Sequence, residues 1–316
     1  MPAIASGEVL IDRFGRPLRR LRISVTERCN HACVFCHREG ITWNADELSA
    51  ADWDFVADVA ASLGFVEAKL TGGEPLMRDD VHEIARSFSS RGMAVSLTTN
   101  GSRLAEFAAR LAEAGVARVN VSVHSLRPET FRKITGGDLQ PVLEGIRAAI
   151  ESGLEVKLDF VVTSWNADEL ANIIEFASSV GARGLNIIEL IPLGMPHDVY
   201  SKLHAGLEEA EKLLERAATR KFVRDFQSRP SYVLPGGLVV ELVKGFCNPA
   251  MCAACDRLRI TPDGKLKTCL FRNDNLIDAR PHIASRDREG LIEDFRRAAI
   301  IREPLFKFPG ARLGNG

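Results

Sequence analysis

Along this chain, short runs dense in aliphatic and β-branched residues alternate with longer stretches whose apolar residues recur at helical spacing. A first strand around Leu21–Val25 runs into a polar loop, and a helix follows over 45–63, marked by Leu48, Phe55, Val56 and Val59. The same order then repeats. The pattern predicts strands over 67–70, 94–98, 119–124, 156–162 and 185–191. Between them it predicts helices over 80–90, 103–114, 128–134, 139–152 and 168–180. The connections are far too long for hairpins, so the strands are expected to be parallel and joined by right-handed crossovers. Both an open doubly wound sheet and a partial barrel fit this order. Polar groups at the strand ends favour the barrel: Thr26–Cys29, Thr71–Glu74, Thr98–Asn100, Ser122–His124 and Glu189 all fall at or just past C-terminal ends. The expected fold is α/β, a partial (βα)6 barrel of the TIM type.

Outside that block the rhythm changes. Residues 1–20 read as an arm or short edge hairpin. After Ile191 the stretch Pro192–Pro196 breaks the alternation, a Glu-rich helix is expected over 207–220, and strand-like pieces occur over 222–226, 232–234 and 238–243. The expected organisation is a barrel over 1–195 and a C-terminal extension over 196–316.

Cysteine placement carries the first chemical signal. Three lie at 29–36, four at 247–269, and none between. Cys29, Cys33 and Cys36, spaced Cys-x3-Cys-x2-Cys, can hold three corners of an iron–sulfur cube and leave the fourth iron open. A closed zinc site completed by His31 or His37 is the competing reading. In the second group, Cys252-x2-Cys255-x13-Cys269 is again a trio; with Cys247 it would make an all-thiolate zinc site. Cys247 forms only a loose pair with Cys252 and reads as an incidental thiol. Arg257 and Arg259, two apart, share one face of an extended strand. Beside an open iron they suit an anionic ligand; in isolation such a pair is more often a surface ion pair. Gly72-Gly73-Glu74 directly after a strand lets backbone approach a ligand closely.

Bulk composition narrows the classes. With 316 residues, 46% hydrophobic and 26% charged, the chain is long enough for a large α/β domain plus a smaller unit. A net charge of −1 argues against a general nucleic-acid binder. No charged-then-apolar leader and no membrane-length apolar run is visible, so no membrane partner and a cytoplasmic location are expected, with thiols kept reduced.

Cys-x3-Cys-x2-Cys with Phe35 before its last cysteine, followed by Gly72-Gly73-Glu74, resembles the radical S-adenosylmethionine (SAM) enzymes. Cys252-x2-Cys255-Asp256-Arg257-Leu258-Arg259 with Cys269-Leu270-Phe271 narrows the resemblance to the GTP 3′,8-cyclase family of molybdenum cofactor biosynthesis, over nearly the whole chain. The resemblance implies two 4Fe–4S clusters, one on Cys29, Cys33 and Cys36 that binds SAM, the other on Cys252, Cys255 and Cys269 that faces the substrate. It implies that Phe35, Gly72, Gly73, Glu74, Asn100, Ser122 and Ile191 surround SAM. GTP would be met by Arg22, Lys69, Thr98, Lys157, Arg257, Leu258 and Arg259, with Arg22, Arg257 and Arg259 as the catalytic set. The implied reaction is hydrogen abstraction from ribose C3′, attack on C8, then reduction and protonation. Implied partners are a flavodoxin- or ferredoxin-like electron donor and a downstream cyclic pyranopterin monophosphate synthase, with a homodimer as a candidate assembly. A radical SAM peptide maturase with an auxiliary cluster is the alternative, and a zinc-stabilised binding protein the non-enzymatic one. The chain departs from the family pattern at Glu67 and Asn186, where relatives are basic, at Asp159 and Ile191, where they carry Asn and Met, and in its C-terminal Leu313–Gly316, which is not a Gly-Gly tail. Glu67 is expected to point away from the phosphates.

Overall fold

The computed structural model describes residues 9–40, 46–246 and 248–306; Cys247 and the terminal Leu313–Gly316 lie outside the described residues. Six strands follow the predicted order: β1 (Arg20–Ser24), β2 (Glu67–Thr71), β3 (Ala94–Thr99), β4 (Val116–Ser122), β5 (Glu155–Val162) and β6 (Gly184–Glu189). They alternate with α1 (Ala50–Ser62), α2 (Val81–Ser89), α3 (Leu104–Glu113), the pair α4 (Pro128–Thr135) and α5 (Leu139–Glu151), and α6 (Leu170–Ser179). Every neighbouring pair from β1 to β6 is parallel. The expected partial barrel of six βα units is what forms.

The last third of the chain extends this sheet at both edges. After α7 (His197–Leu203) and α8 (Glu208–Ala217) come β7 (Arg220–Arg224), β8 (Arg229–Val233) and β9 (Val239–Val243). β9 pairs parallel to β6, and β8 and β7 then continue antiparallel. A short helix α9 (Pro249–Ala253) leads to β10 (Arg257–Ile260), which crosses to the other edge and pairs parallel to β1. β11 (Lys265–Lys267) and β12 (Ile277–Asp278) add antiparallel strands beyond it, and α10 (Arg280–Ala284) and α11 (Arg288–Ile301) close the chain. The result is one twelve-stranded sheet in the order β12-β11-β10-β1-β2-β3-β4-β5-β6-β9-β8-β7.

Strand periodicity explains its two faces. Leu21 and Ile23, Ala68 and Leu70, Val119 and Val121, and Leu185 and Ile187 point outward and are buried against Trp53, Val56, Phe88, Phe107 and Ile173 of the helices. The alternate residues on the same strands point inward and are mostly polar, Ile188 of β6 being an apolar exception. α1 starts at Ala50, later than the apolar pattern suggests, because Ser49 and Asp52 cap each other's backbone and end the preceding loop there. The described part of the N-terminal arm is a small hairpin outside the sheet, with an antiparallel bridge between Ile11 and Pro17 and the Leu18 amide donating to the Leu10 carbonyl at 2.8 Å. No described helix is long and apolar enough to cross a membrane.

One buried ion bracket ties this arm to the chain's end. Asp12 accepts from Arg16 Nε at 2.8 Å and from Arg302 Nη1 at 2.6 Å, with Asp12 and Arg302 almost wholly buried. The two guanidiniums also donate to the carbonyls of Cys252 and Cys255. Removing Asp12 would leave two buried cations without their shared carboxylate. Asp12→Ala is therefore expected to cost about 3–5 kcal/mol. Asp54→Ala, opposite the more open Arg91, should cost under about 1 kcal/mol. Anaerobic denaturant titration compares the two, and equal midpoint shifts would count against the bracket.

Candidate active site

The inward residues of the strands and the cysteine loops enclose one cavity of about 470 Å³, and six cysteines line it: Cys29, Cys33, Cys36, Cys252, Cys255 and Cys269. Sheet register sets the polar rows of its wall. Arg22 of β1 stands between Arg259 of β10 and Lys69 of β2. Arg20 stands between Arg257 and Glu67 in the same way. Further round, Asn120 is flanked by Thr98 and Lys157, and Asp159 by Ser122 and Asn186.

The first cysteine loop is held from three sides. Its Ala32 and Val34 amides donate to the carbonyls of Thr135 and Ile134 at the end of α4. On the second side, the end of β2 packs directly on the loop's backbone. A side chain at Gly72 would strike the Thr26 carbonyl, and one at Gly73 the carbonyls of Glu27 and Arg28. The Gly73 amide donates to Thr26 at 2.7 Å and that of Glu74 to Arg28 at 2.8 Å. From the third side Gly194, after β6, lies where any Cβ would meet Cys36 and His37, which brings Ile191 to the cavity.

Phe35 packs edge-on against His124 with ring centres 4.9 Å apart. Phe35, Gly72, Gly73, Glu74, Asn100, Ser122 and Ile191 all line the cavity. Glu74 spends its carboxylate on the protein, accepting from Thr99 Oγ1 and the Asn100 amide at 2.6 Å and from the Leu76 amide at 3.0 Å. Burial pushes it up to about 7, against the pull of those hydrogen bonds. It braces the strand ends.

At the second trio, Cys252 sits on α9, Cys255 just after it, and Cys269 after β11. Burial works to raise the Cys255 thiol, and Arg302 and Arg257 override it, leaving it below its ordinary value. Arg22, Lys69, Thr98, Lys157, Arg257 and Arg259 all line the cavity. Leu258 does not. Its side chain takes the opposite face of β10 and is fully buried in the apolar core, so the sequence-based assignment of Leu258 as a substrate contact does not extend to its side chain. Glu67 also departs from expectation: it lines the cavity, tied to Arg20 Nε at 2.8 Å.

Several site groups carry no sequence signal of their own. Glu39, buried, pairs with both Arg22 and Arg259. Glu241 accepts from Lys157 at 2.8 Å and from Arg224 at 2.9 Å, and lies 3.5 Å from Arg229. As a lone charge inside the apolar strand Val239–Val243 it is the one such group that the sequence could have flagged. Asn186 and Asn120 both donate to Asp159 Oδ1, at 2.6 and 3.0 Å. Burial holds the Lys69 ammonium well below its ordinary value, opposed by Asp159. Thr98 Oγ1 and the side-chain oxygens of Asn120 and Asn186 are buried without a hydrogen-bond partner. The residues that carry these atoms line the cavity.

The donor chemistry fits iron–sulfur clusters. Each trio offers three free thiols at the cavity wall, the donor set such a cluster takes.

Comparison with known proteins agrees. Residues 23–177 match the radical SAM superfamily, and residues 184–308 match the family described as Molybdenum Cofactor Synthesis C. The chain is 43% identical to a probable GTP 3′,8-cyclase of Metallosphaera sedula, over 95% of this chain and 97% of that one. It is 45% identical to one from Saccharolobus islandicus, over 95% and 99%. Among solved structures it shares its fold with Streptococcus suis SuiB bound to S-adenosylmethionine (TM-score 0.64, 16% identity, 88% of this chain and 68% of that one). It also shares it with anSMEcpe with bound AdoMet (TM-score 0.57, 16% identity, 80% and 74%). With cysteine trio, glycine pair and barrel in register, the chain belongs to the radical SAM superfamily and, within it, to the family of these GTP 3′,8-cyclases.

Proposed function

We propose that this enzyme cyclises GTP to (8S)-3′,8-cyclo-7,8-dihydroguanosine 5′-triphosphate, the first step of molybdenum cofactor biosynthesis. One observation carries the reading: two cysteine trios and the cations Arg22, Lys69, Lys157, Arg257 and Arg259 converge on one cavity. Identity of 43–45% to probable GTP 3′,8-cyclases along nearly the full length supports it.

Cys29, Cys33 and Cys36 would hold a 4Fe–4S cluster and Cys252, Cys255 and Cys269 a second one, residues 1–195 forming the radical SAM part and 196–316 the auxiliary part. When bound, the first cluster and SAM supply an electron and a 5′-deoxyadenosyl radical. The chain's own groups bind and orient. The Gly72–Gly73 backbone, Phe35, Asn100, Ser122 and Ile191 form the SAM wall, with Glu74 bracing it from behind. Arg22, Arg257 and Arg259 meet the nucleotide, and a phosphate beside Lys69 would offset the burial that penalises its charged form. Thr98 lines the same wall. Arg224 and Arg229 reach the same wall from β7 and β8, where Asn186 supplies no charge. A small flavodoxin- or ferredoxin-like protein as electron donor, a cyclic pyranopterin monophosphate synthase as consumer of the product, and a homodimer as assembly complete the proposal.

Anaerobic incubation with SAM, a reductant and GTP is expected to yield 5′-deoxyadenosine and a cyclised nucleotide. Deoxyadenosine formed equally well without GTP, with GTP unchanged, would sink the substrate assignment. The loaded protein should carry roughly eight irons per chain, four per cubane. Cys252→Ser with Cys255→Ser and Cys269→Ser should halve that figure and stop GTP conversion while leaving SAM cleavage by dithionite in place. Undiminished iron in this variant would place the second cluster elsewhere. Arg257→Ala with Arg259→Ala should abolish measurable GTP affinity; retained affinity would favour a peptide substrate.

A further inference from the structure

The turn after the first cysteine trio holds a carboxylate that the proposed chemistry does not use. Glu39 is 8% exposed and lies inside the wall of the cavity. Its Oε1 accepts from Arg22 Nη2 at 2.9 Å and Nε at 3.1 Å, and its Oε2 accepts from Arg259 Nη1. Arg22 and Arg259 sit side by side on β1 and β10, in register, so their guanidiniums would repel each other across the strand pair. Glu39 stands between them.

The backbone is bent to put it there. Arg38, Glu39 and Gly40 are all left-handed, with φ of 45°, 51° and 74°, a run that non-glycine residues seldom adopt. The bend is gripped by the other cysteine loop. A side chain at Gly40 would strike the Leu270 carbonyl, next to Cys269, and Asn273 Nδ2 donates to the Gly40 carbonyl at 2.6 Å. A strained turn leaving the first trio and locked by the loop of the second thus delivers one negative charge to two substrate-facing cations. Burial works to raise the Glu39 carboxyl, and Arg22 and Arg259 override it, so it stays ionised.

We propose that Glu39 is a positioning residue for the substrate: it fixes Arg22 and Arg259 as one unit, oriented from both cysteine loops at once, to receive the anionic nucleotide. The proposal rests on the assignment of GTP as substrate. Charge-assisted bonds to a shared carboxylate orient both guanidinium planes before the ligand arrives, which lowers the ordering cost of binding. Their remaining N–H groups stay available to the cavity.

Glu39→Gln keeps the shape and removes the charge. In the holoenzyme it is expected to raise KM for GTP, and the Kd from anaerobic equilibrium dialysis, by about ten- to hundredfold. Iron content, SAM affinity and the dithionite-driven cleavage of SAM without GTP should stay within about twofold, as should kcat at saturating GTP. Glu39→Asp, which restores charge with a shorter reach, should recover part of the loss. Adding Glu39→Gln to the single variant Arg22→Ala should weaken GTP binding by less than the product of the two separate losses. Unaltered GTP affinity in Glu39→Gln overturns the proposal. So does tighter GTP binding, which would make Glu39 a competitor for the arginines, and so does a fully additive loss in the Arg22→Ala background. If Glu39→Gln fails to load iron, Glu39→Asp decides on the same Kd criterion, wild-type affinity overturning the proposal. Absence of GTP binding by the unaltered protein would instead remove the substrate assignment itself.

Discussion

A cation carried into a barrel interior must find its counter-charge there, and this molecule is arranged around that constraint. Its inner face carries Arg20, Arg22, Lys69, Lys157, Arg257 and Arg259, with Arg224 and Arg229 beside them. Three carboxylates are each shared among several of the buried cations. Glu39 lies between Arg22 and Arg259, Glu241 among Lys157, Arg224 and Arg229, and Asp12 between Arg16 and Arg302. In every case cations outnumber the carboxylate that holds them. The interior therefore keeps its basic groups ordered while leaving positive potential for an anion. A complete set of one-to-one ion pairs would be as well ordered and would attract nothing.

The βα rhythm of residues 20–190 was legible because outward strand positions are aliphatic and helices bury a stripe, both of which leave a period in the sequence. The cysteine trios and the glycine pair were legible because cluster ligation and close backbone approach tolerate few residue types. The inward rows could be read only in part. Lys69 and Lys157 stand out on their strands, but whether a group faces substrate, solvent or another side chain depends on register with strands far away in sequence. Glu39 shows this most clearly. In Cys-His-Arg-Glu-Gly it looks like one more polar loop residue, and its function arises only once β10, more than two hundred residues later, lies beside β1. Leu258 shows the opposite case: the resemblance named it among the substrate contacts, whereas alternation along a strand turns its side chain into the core.

Glu67, Asp159 and Asn186, where the chain departs from the family pattern, show how such a wall tolerates change. Glu67 is absorbed by Arg20, and Arg20 also reaches Asp256 next to the second trio. Asn186 and Asn120 together hold Asp159, with their own amide oxygens buried and without a hydrogen-bond partner, where the resemblance led to the expectation of a cation. The positive charge near that end of the wall comes instead from Arg224 and Arg229, on strands that follow β6 and fold back against β9. Positive charge in this region thus depends on which groups converge and not on any single position.

The same convergence explains why the last third of the chain extends the sheet at both edges instead of forming a separate layer. Had residues after 196 packed as an independent unit, the two cysteine trios would be related only through a hinge. Their spacing would then vary with every fluctuation of that hinge. Pairing β10 with β1 makes the spacing a property of sheet register, fixed to within a hydrogen bond. The Asp12 bracket reinforces it, since Arg16 and Arg302 donate to the carbonyls of Cys252 and Cys255 from two ends of the chain. A nucleotide bound between the two trios, as proposed, would meet both across one continuous sheet.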